Sequence, residues 1–442
     1  MRRILVALLI FGIAGAASAA VNNIQVSGDI TTQAITRDLS LGEVGEQDSE
    51  DFILTQVRLR FDADLTENVS AVVQLLNERL WGAENDTTSS TSTDVKLDLA
   101  YLVMKNMIYD PLTVTIGRQN LRFGRGLIVG DPDTDNVVDT NSGLATVADD
   151  LSLRKSFDAV RATLDYDPLV LDIIFAKVRE GSTNIADDQN LYGVNAAYNL
   201  SDKTNLEGYF FVKDKDNVTT NNGGSSSGIG MSNDRVYTIG LRGDTTAIDN
   251  LTLYGEYAYQ FGKDYATAGT ILARDAFAAQ VGAVYAFQDK RNSQVGLEYT
   301  YLSGDSDSSD NDQTAWDPMF EDQRVGEIAN LLFDNTNLQY IKLSAATDLR
   351  EDITAGLDVY YLRLAKSYAS TSLATTSPVI NTYAVDVSEK EIGWEIDPSL
   401  KYDYTEDVQL GLVAGIFLPG DLFANSNDNT AYSLRATARV EF

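Results

Sequence analysis

Apolar and polar residues alternate through most of this chain, and a period of two residues limits the folds available to it. In residues 56–65 every second residue is apolar, from Val57 to Leu65, and the residues between them are polar. Residues 430–442 repeat this pattern up to Phe442. Because successive side chains of a β-strand point to opposite faces, the pattern predicts strands with one apolar and one polar face.

The same alternation predicts eighteen strands. They lie near residues 23–37, 52–65, 69–81, 94–106, 111–119, 156–166, 168–179, 190–200, 204–215, 234–246, 250–262, 274–288, 293–303, 336–349, 351–366, 389–404, 407–418 and 430–442. The strands near 69–81 and 168–179 alternate poorly. Eighteen similar strands with little sign of helix predict an all-β protein.

Short and long links alternate strictly between these strands. The short links are residues 66–68, 107–110, 167, 201–203, 247–249, 289–292, 350 and 405–406. The long links lie near 38–51, 82–93, 120–155, 180–189, 216–233, 263–273, 304–335, 367–388 and 419–429, and they are rich in Asp, Asn, Ser, Thr and Gly. Tight periplasmic turns alternating with long extracellular loops are typical of outer-membrane barrels. An even number of strands then leaves both termini in the periplasm.

The composition agrees with an up-and-down antiparallel transmembrane barrel formed by residues 21–442 as one domain. Only 44% of the residues are hydrophobic, and in such a barrel only the lipid-facing half of each strand must be apolar. Beyond residue 20, no segment is apolar over the roughly 20 residues that a membrane helix requires. A soluble β-sandwich or solenoid is the alternative, but it requires neither eighteen similar strands nor alternating link lengths.

The first twenty residues have the three parts of an export signal. Arg2 and Arg3 form a charged start, residues 4–13 are apolar, and Ala17 and Ala19 flank a small-residue cleavage site. We therefore expect residues 1–20 to be removed and the protein to reach the outer membrane of a Gram-negative bacterium. Removal takes away two Arg and no acid, which changes the formal net charge from −31 to −33.

Missing residue types exclude several kinds of chemistry. The chain has no Cys and no His, so it cannot form disulfides, thiolate metal sites or a Ser-His-Asp triad. We therefore expect neither an enzyme nor a cofactor. The acidic pair Glu395 and Asp397 could serve acid–base chemistry in principle, although carboxylates facing a wet lumen are more often pore lining. Nucleic acid is a poor partner, because the 65 acidic residues outnumber the 34 basic residues.

Phe442 is the last residue and closes an alternating apolar strand. This arrangement resembles the carboxy-terminal signature by which barrel-insertion machinery selects outer-membrane proteins. We expect the other contacts of the barrel to be outer-membrane lipids and lipopolysaccharide.

Several segments resemble the alginate export family. Residues 115–119 (TIGRQ) and 123–130 (FGRGLIVG) are similar to a strand end and a following Gly/Arg loop of that family. Further similar segments follow in order: SFDAVR at 156–161, WDPMF at 316–320, GWEID at 393–397 and FLPG at 417–420. The resemblance implies an eighteen-stranded, monomeric outer-membrane barrel that conducts a polysaccharide or another hydrophilic solute. It does not imply that alginate is the cargo.

Alternation also assigns charged residues to the lumen. The predicted pore-lining basic residues are Arg58, Arg60, Lys96, Arg118, Arg122, Arg125, Arg161, Arg435 and Arg439. The predicted pore-lining acidic residues are Glu256, Glu298, Asp358, Glu395 and Asp397. Since the first and last strands are neighbours in a closed barrel, the two sets predict a basic wall opposite an acidic wall and a transverse field between them. The alternative is that these side chains only solvate the lumen and pair with one another.

Two long links invite separate hypotheses. The link at 120–155 begins with Arg residues, turns acidic at Asp131, Asp133, Asp135 and Asp139, and by its length and Gly content could fold inward as a constriction. The link at 304–335 carries Asp305, Asp307, Asp310 and Asp312. Alternating Asp can bind Ca²⁺, but the fixed Gly and terminal Glu of an EF-hand are absent, so a solvated loop without a metal is preferred.

Three classes of function remain at this stage. The leading interpretation is an outer-membrane porin or exporter for hydrophilic, anionic oligo- or polysaccharides or small solutes. The second is a general non-specific porin or a structural barrel around a partner protein, and the latter would not conduct ions. The third, an outer-membrane enzyme, is disfavoured by the absence of His.

Overall fold

Eighteen antiparallel strands form most of the molecule. The computed structural model describes residues 23–41, 49–82, 95–132, 146–180, 188–219, 230–265, 271–307, 310–367, 372–374, 382–423 and 427–442. The strands are β1 Asn23–Asp38, β2 Ser49–Thr66, β3 Val69–Leu80, β4 Lys96–Lys105, β5 Leu112–Asn120, β6 Ser156–Asp165, β7 Leu169–Arg179, β8 Gln189–Ser201, β9 Thr204–Thr219, β10 Gly230–Ile248, β11 Leu251–Tyr265, β12 Ile271–Ala286, β13 Gln294–Leu302, β14 Leu338–Arg350, β15 Ile353–Leu364, β16 Glu391–Asp403, β17 Val408–Pro419 and β18 Ala431–Glu441. The predicted eighteen-stranded fold is confirmed, and the largest boundary differences are the longer β9 and β10.

The sheet closes on itself. Each strand pairs with its neighbours in the chain, and β1 pairs with β18 from Asp29 opposite Glu441 to Asp38 opposite Tyr432. Closure satisfies the backbone groups that an open sheet edge would expose to lipid. No helix in the described part of the chain is both long and apolar enough to cross a membrane. The predicted signal peptide lies outside the described residues.

One rim carries the short turns together with Asn23 and Phe442. Asn23 lies opposite Asp64 beside the turn that joins β2 to β3. Phe442 exchanges two backbone hydrogen bonds with Gly28, of 2.8 and 3.0 Å. The rim at which the first strand begins and the last strand ends is therefore the rim of the short turns, as the even strand number predicts.

The two faces of the wall differ as the alternation predicts. On β13, Leu297 and Tyr299 are exposed on the outer face, while Glu298 and Thr300 are buried on the inner face. Apolar side chains outward and polar side chains inward are the arrangement that lipid outside and water inside would stabilise.

Two long links fold into the barrel and pack against its inner face. We call residues 121–131 the first inward segment and residues 314–337 the second inward segment. The second contains a short helix, α1 (Ala329–Leu332). The apolar residues of both segments join inward-facing residues of the wall in one buried cluster: Leu121, Phe123, Ile128, Phe320, Ile328 and Leu332 from the segments, and Phe157, Phe211, Leu362 and Phe417 from the wall.

Smaller elements complete the described chain. A 3₁₀ helix, Thr146–Leu151, lies in the link between β5 and β6. Asp312–Gln313 pairs in parallel with β12, and Ser372–Ala374 forms a hairpin with Thr382–Ala384.

The two inward segments are joined by backbone hydrogen bonds. Phe320 N–H donates to the Ile128 carbonyl at 3.1 Å, Gly130 N–H donates to the Phe320 carbonyl at 2.7 Å, and Asp322 N–H donates to the Gly126 carbonyl at 2.8 Å. Gly126 has a φ of +80°, and an added Cβ there would lie 2.9 Å from the Asp322 carbonyl oxygen. The close approach of the segments therefore explains why glycine occupies this position.

Candidate functional site

A polar cavity lies between the inward segments and the wall formed by β12 to β15. Its volume is about 370 Å³. We call it the central cavity, and its lining residues are Arg122, Arg125, Gln280, Glu298, Asp322, Gln323, Arg324, Tyr340, Lys342 and Tyr360. Four of these side chains are cationic and two are anionic, so the described lining carries a surplus of positive charge.

Arg125 projects from the first inward segment into this cavity. Its guanidinium carbon lies 3.9 Å from the centre of the Tyr254 ring, which is close enough for a cation–π contact. Its Nη2 lies 3.5 Å from a carboxylate oxygen of Glu298, and 52% of the Arg125 side chain is exposed. The group is thus held by stacking while about half of its side chain remains exposed.

Glu298 on β13 is satisfied mainly by tyrosine hydroxyls. The Tyr254 hydroxyl donates to its Oε2 at 2.5 Å, and the Tyr340 hydroxyl donates to its Oε1 at 3.1 Å. Arg125 is a more distant partner of this carboxylate. Much of the guanidinium's capacity for a second carboxylate is therefore retained.

Lys342 and Asp358 form an ion pair on the wall of the central cavity. The Lys342 Nζ lies 2.8 Å from Asp358 Oδ2 and 5.1 Å from the centre of the Tyr360 ring. The predicted acidic residue Asp358 therefore has a cationic partner on the neighbouring strand.

Asp322 in the second inward segment connects it to the first. It forms ion pairs with Arg122 and with Lys155, and the Lys155 Nζ also lies 3.6 Å from Asp131. These contacts hold Arg122 at the edge of the cavity.

Asp317 anchors the second inward segment to the wall at another point. Its carboxylate lies 2.7 Å from the Lys213 Nζ and 4.0 Å from an Arg274 Nη2. Burial raises the pKa of this carboxyl, but the charges of Lys213 and Arg274 outweigh burial and hold the pKa below its ordinary value of 3.8. Asp317 is therefore ionised at neutral pH and binds both cations.

Glu395 and Asp397, predicted to line the pore, contact the second inward segment. Glu395 is fully buried, and its carboxylate accepts hydrogen bonds from the backbone N–H groups of Glu327, Ile328 and Ala329. Asp397 is 7% exposed, and its Oδ2 lies 3.3 Å from the Glu327 nitrogen. The expectation that both face a wet lumen is corrected, because the segment covers them.

Five of the predicted basic residues of the wall each have a carboxylate partner. Arg58 pairs with Asp29 at 2.7 Å, Arg60 with Asp62 at 2.8 Å, Arg161 with Asp172 at 2.7 Å, Arg435 with Glu327 at 2.8 Å and Arg439 with Glu441 at 2.7 Å. Lys96 lies opposite Leu76 on the inner face. We call Arg58, Arg60, Arg161, Arg435 and Arg439 the paired arginines. Their pairing is the arrangement that the alternative interpretation predicts.

Arg118 lies on the outer face, in contrast to the expectation that it lines the pore. It has the same parity on β5 as Ile116, which is 42% exposed, and it lies opposite Asp158, which has the same parity on β6 as the exposed Val160. The Arg118 Nη1 lies 3.3 Å from Asp158 Oδ2. The period of two residues is the physical reason, since a residue two positions from an outward side chain also points outward.

Glu256 lines a second cavity, of about 470 Å³, that also has Arg125 in its lining. Glu256 is 6% exposed and accepts a hydrogen bond of 2.7 Å from the Tyr209 hydroxyl. Two cavities thus meet at Arg125.

The hypotheses on the two long links have different outcomes. The start of the link at 120–155 folds inward, while Asp133, Asp135 and Asp139 lie outside the described residues. The link at 304–335 was expected to be a solvated loop, yet most of it is packed inside the barrel. No group of three or more carboxylates placed to hold a metal ion is found among the described residues.

Four residues of the second inward segment were missed by sequence reasoning: Asp317, Asp322, Gln323 and Arg324. The sequence signal for their burial is the apolar content of the link at 304–335. Trp316, Met319, Phe320, Ile328 and Leu332 interrupt this acidic link, and each is less than 4% exposed in the structure. A solvated surface loop would not carry so many large apolar residues.

A family model described as alginate export matches residues 26–437. The chain belongs to the alginate export family. This membership and the porin-like barrel place the protein in the outer membrane and support a role as a porin or exporter rather than an enzyme.

Solved structures of outer-membrane porins show the same fold at low sequence identity. OpdQ of Pseudomonas aeruginosa is 12% identical, with a TM-score of 0.57 over 96% of this chain and 99% of that chain. OccK2 (OpdF) of the same species, in complex with glucuronate, is 11% identical, with a TM-score of 0.55 over 96% and 98%. A BenF-like porin from Pseudomonas fluorescens Pf-5 is 10% identical, with a TM-score of 0.55 over 96% and 100%. No curated protein sequence matches significantly.

Proposed function

We propose that this member of the alginate export family is a passive channel for small hydrophilic anions, and that uronate-like sugars are its preferred class of solute. The cation surplus of the central cavity carries the proposal. Arg122, Arg125, Arg324 and Lys342 line it against Glu298 and Asp322. Arg suits a carboxylate, because its planar fork can donate to both oxygens.

The size and lining of the central cavity support a sugar-sized solute. A volume of about 370 Å³ lies in the range of small-molecule sites. Tyr340 and Tyr360 provide ring surfaces beside the charged groups, and tyrosine combines an apolar face with a polar tip. The glucuronate complex of OccK2, a neighbour in fold only, is consistent with this class of ligand.

The inward segments favour a narrow path over an open water-filled pore. They bury apolar residues in a cluster shared with the wall, so solutes must pass beside them. We infer that the cargo is a single sugar or an oligosaccharide one chain wide, and that the protein functions as a monomer with both termini in the periplasm.

Two measurements test the proposal. Reversal potentials in a KCl gradient across planar bilayers should show preference for the anion, and liposome swelling should be faster with glucuronate than with glucose. Equal permeability to K⁺ and Cl⁻ together with equal swelling rates would favour a general porin. A purified, folded barrel without conductance would favour a structural barrel around a partner protein.

A further inference from the structure

We infer that Glu395 is a positioning residue, which holds the second inward segment across the lumen and thereby keeps Arg324 in the central cavity. The inference rests on the proposed function as an ion-conducting channel. It predicts that replacing Glu395 makes the channel less anion-selective, whereas replacing a carboxylate that lines the path would make the channel more anion-selective.

Glu395 holds the backbone of the segment through three hydrogen bonds. Its Oε1 accepts from Glu327 N–H at 2.7 Å and from Ile328 N–H at 2.6 Å, and its Oε2 accepts from Ala329 N–H at 2.8 Å. The side chain is fully buried. These hydrogen bonds satisfy backbone N–H groups at the start of a helical turn, where no carbonyl of the helix itself is placed to accept them.

Two glycines border this contact, at positions where a Cβ atom would be too close to neighbouring atoms. Gly326 has a φ of +75°, and an added Cβ would lie 2.5 Å from the Glu395 carboxyl carbon. An added Cβ at Gly415 on β17 would lie 2.9 Å from the Cβ of Glu327. Glycine on both sides lets the segment approach β16 and β17 closely.

Side-chain contacts connect this anchor to the central cavity. Glu327 Oε1 lies 2.8 Å from Arg435 Nη2, and Glu327 Oε2 lies 3.0 Å from Arg324 Nη2. Arg324 lines the central cavity, three residues before the backbone that Glu395 holds. The position of this cation therefore depends on the anchor, although Glu395 itself does not line that cavity.

Replacing Asp358 and replacing Glu395 should change the anion preference of the channel in opposite directions. Neutralising Asp358, which pairs with Lys342, releases a cation beside the central cavity and should raise the permeability to anions. Replacing Glu395 by Gln puts an NH₂ donor where one carboxyl oxygen accepts backbone hydrogen bonds. This frees the second inward segment and should move Arg324 away, which lowers the preference for anions. Replacing Glu395 by its amide would then make the channel less anion-selective.

The test compares Glu395→Gln with Asp358→Asn in planar bilayers under one KCl gradient. We expect the Cl⁻/K⁺ permeability ratio to fall about twofold in Glu395→Gln and to rise in Asp358→Asn. Heat-modifiable migration on gels checks that each variant is folded. A rise in both variants would overturn the inference and leave the channel function intact, whereas a wild type that does not conduct would overturn the proposed function first.

A double-mutant cycle and a variant without charge change separate positioning from bulk charge. Arg324→Gln should lower the ratio as Glu395→Gln does, and the double variant should fall no further than either single variant, because both act through one cation. Gly326→Ala changes no charge but adds the Cβ that would meet Glu395, and it should shift the ratio in the same direction. Additive effects in the cycle, or a Gly326→Ala channel with wild-type selectivity, would contradict the inference. If Glu395→Gln does not fold, Gly326→Ala and Arg324→Gln still decide it.

Discussion

The paired arginines of the wall and Arg125 of the central cavity face the same lumen, but they differ in how their charge is balanced. Arg58, Arg60 and Arg161 have carboxylate partners within 2.8 Å, and 28 to 34% of each side chain is exposed. Arg125 lies 3.5 Å from its carboxylate and is 52% exposed. The wall arginines therefore hold their charge in local pairs, while Arg125 is the cavity cation that presents most of its charge to a solute.

The difference follows from where the residues sit. On the wall, the strands bring acids close to arginines: Asp29 lies opposite Arg58 on the neighbouring strand, and Asp62 follows Arg60 on the same strand. Arg125 lies on an inward segment, outside the strand register, and stacks on a tyrosine instead of pairing closely with an acid. Selectivity is therefore expected to depend more on the segments than on the basic wall.

Arg161→Ala should have the largest effect, and its effect should be on stability. Asp172 is 4% exposed, and without Arg161 its remaining side-chain partner among the described contacts is the Thr163 hydroxyl. Leaving a buried carboxylate without its cation should lower the free energy of unfolding by about 2 kcal/mol, below the cost for a fully buried pair because Arg161 is partly exposed. Urea unfolding in lipid vesicles, followed by tryptophan fluorescence, measures this.

The control for that variant is the double replacement Arg161→Gln with Asp172→Asn. It removes both charges and retains groups that can form hydrogen bonds, so it should recover most of the lost stability. Equal destabilisation in the double variant would mean that the pair is not what stabilises this part of the wall.

Gly126→Ala should loosen the junction between the two inward segments. The new Cβ would meet the Asp322 carbonyl oxygen, and a φ of +80° is unfavourable for alanine by about 1 kcal/mol. We expect noisier single-channel currents with unchanged unfolding of the barrel. Gly411→Ala is the matched control, since its added Cβ would lie 3.6 Å from the nearest side-chain atom and should leave the current trace as in the wild type.

Arg125→Ala should lower the Cl⁻/K⁺ permeability ratio by about threefold, since it removes an exposed cation from the central cavity. The comparison variant replaces a wall pair without changing net charge, Arg58→Gln with Asp29→Asn, and should leave the ratio unchanged. If the wall variant shifts selectivity as much as Arg125→Ala, the basic wall is a determinant in its own right, and the transverse field remains the better description.

Acid should break the contacts of Asp317 in the second inward segment only at low pH. The pKa of Asp317 in the folded protein is lowered below 3.8, so its ion pairs contribute stability above the unfolded pKa and lose it as the pH falls through the folded pKa. The part of the current noise that depends on Asp317 should therefore stay constant from neutral pH to about 4 and increase below that. Asp317→Asn should abolish this acid-dependent step, and an increase between pH 7 and 5 would point to a different group.

Strand positions could be predicted because they depend on local alternation. A barrel in lipid requires apolar side chains on one face of every strand, so apolar residues recur at every second position of a strand. The same rule would have placed Arg118 outward, since it follows Val114 and Ile116 at even spacing.

Contacts between distant segments could not be predicted in this way. Glu395 and Glu327 are 68 residues apart, and alternation gives only the inward direction of Glu395. Whether water, a solute or another segment lies in front of it depends on how a long link packs. The apolar residues of 314–337 signalled burial, but not the partner.

The sequence by itself determined the closed barrel of eighteen strands, its two faces, the alternation of short and long links and membership of a family of outer-membrane barrels. These properties follow from local periodicity and from the requirement that backbone polar groups be satisfied in lipid. Only the tertiary structure decided which luminal charges are paired, which carboxylates lie beneath a segment, and which cations line a cavity. These depend on distances across the lumen, and electrostatic pairing falls off within a few ångströms that no spacing along the chain specifies.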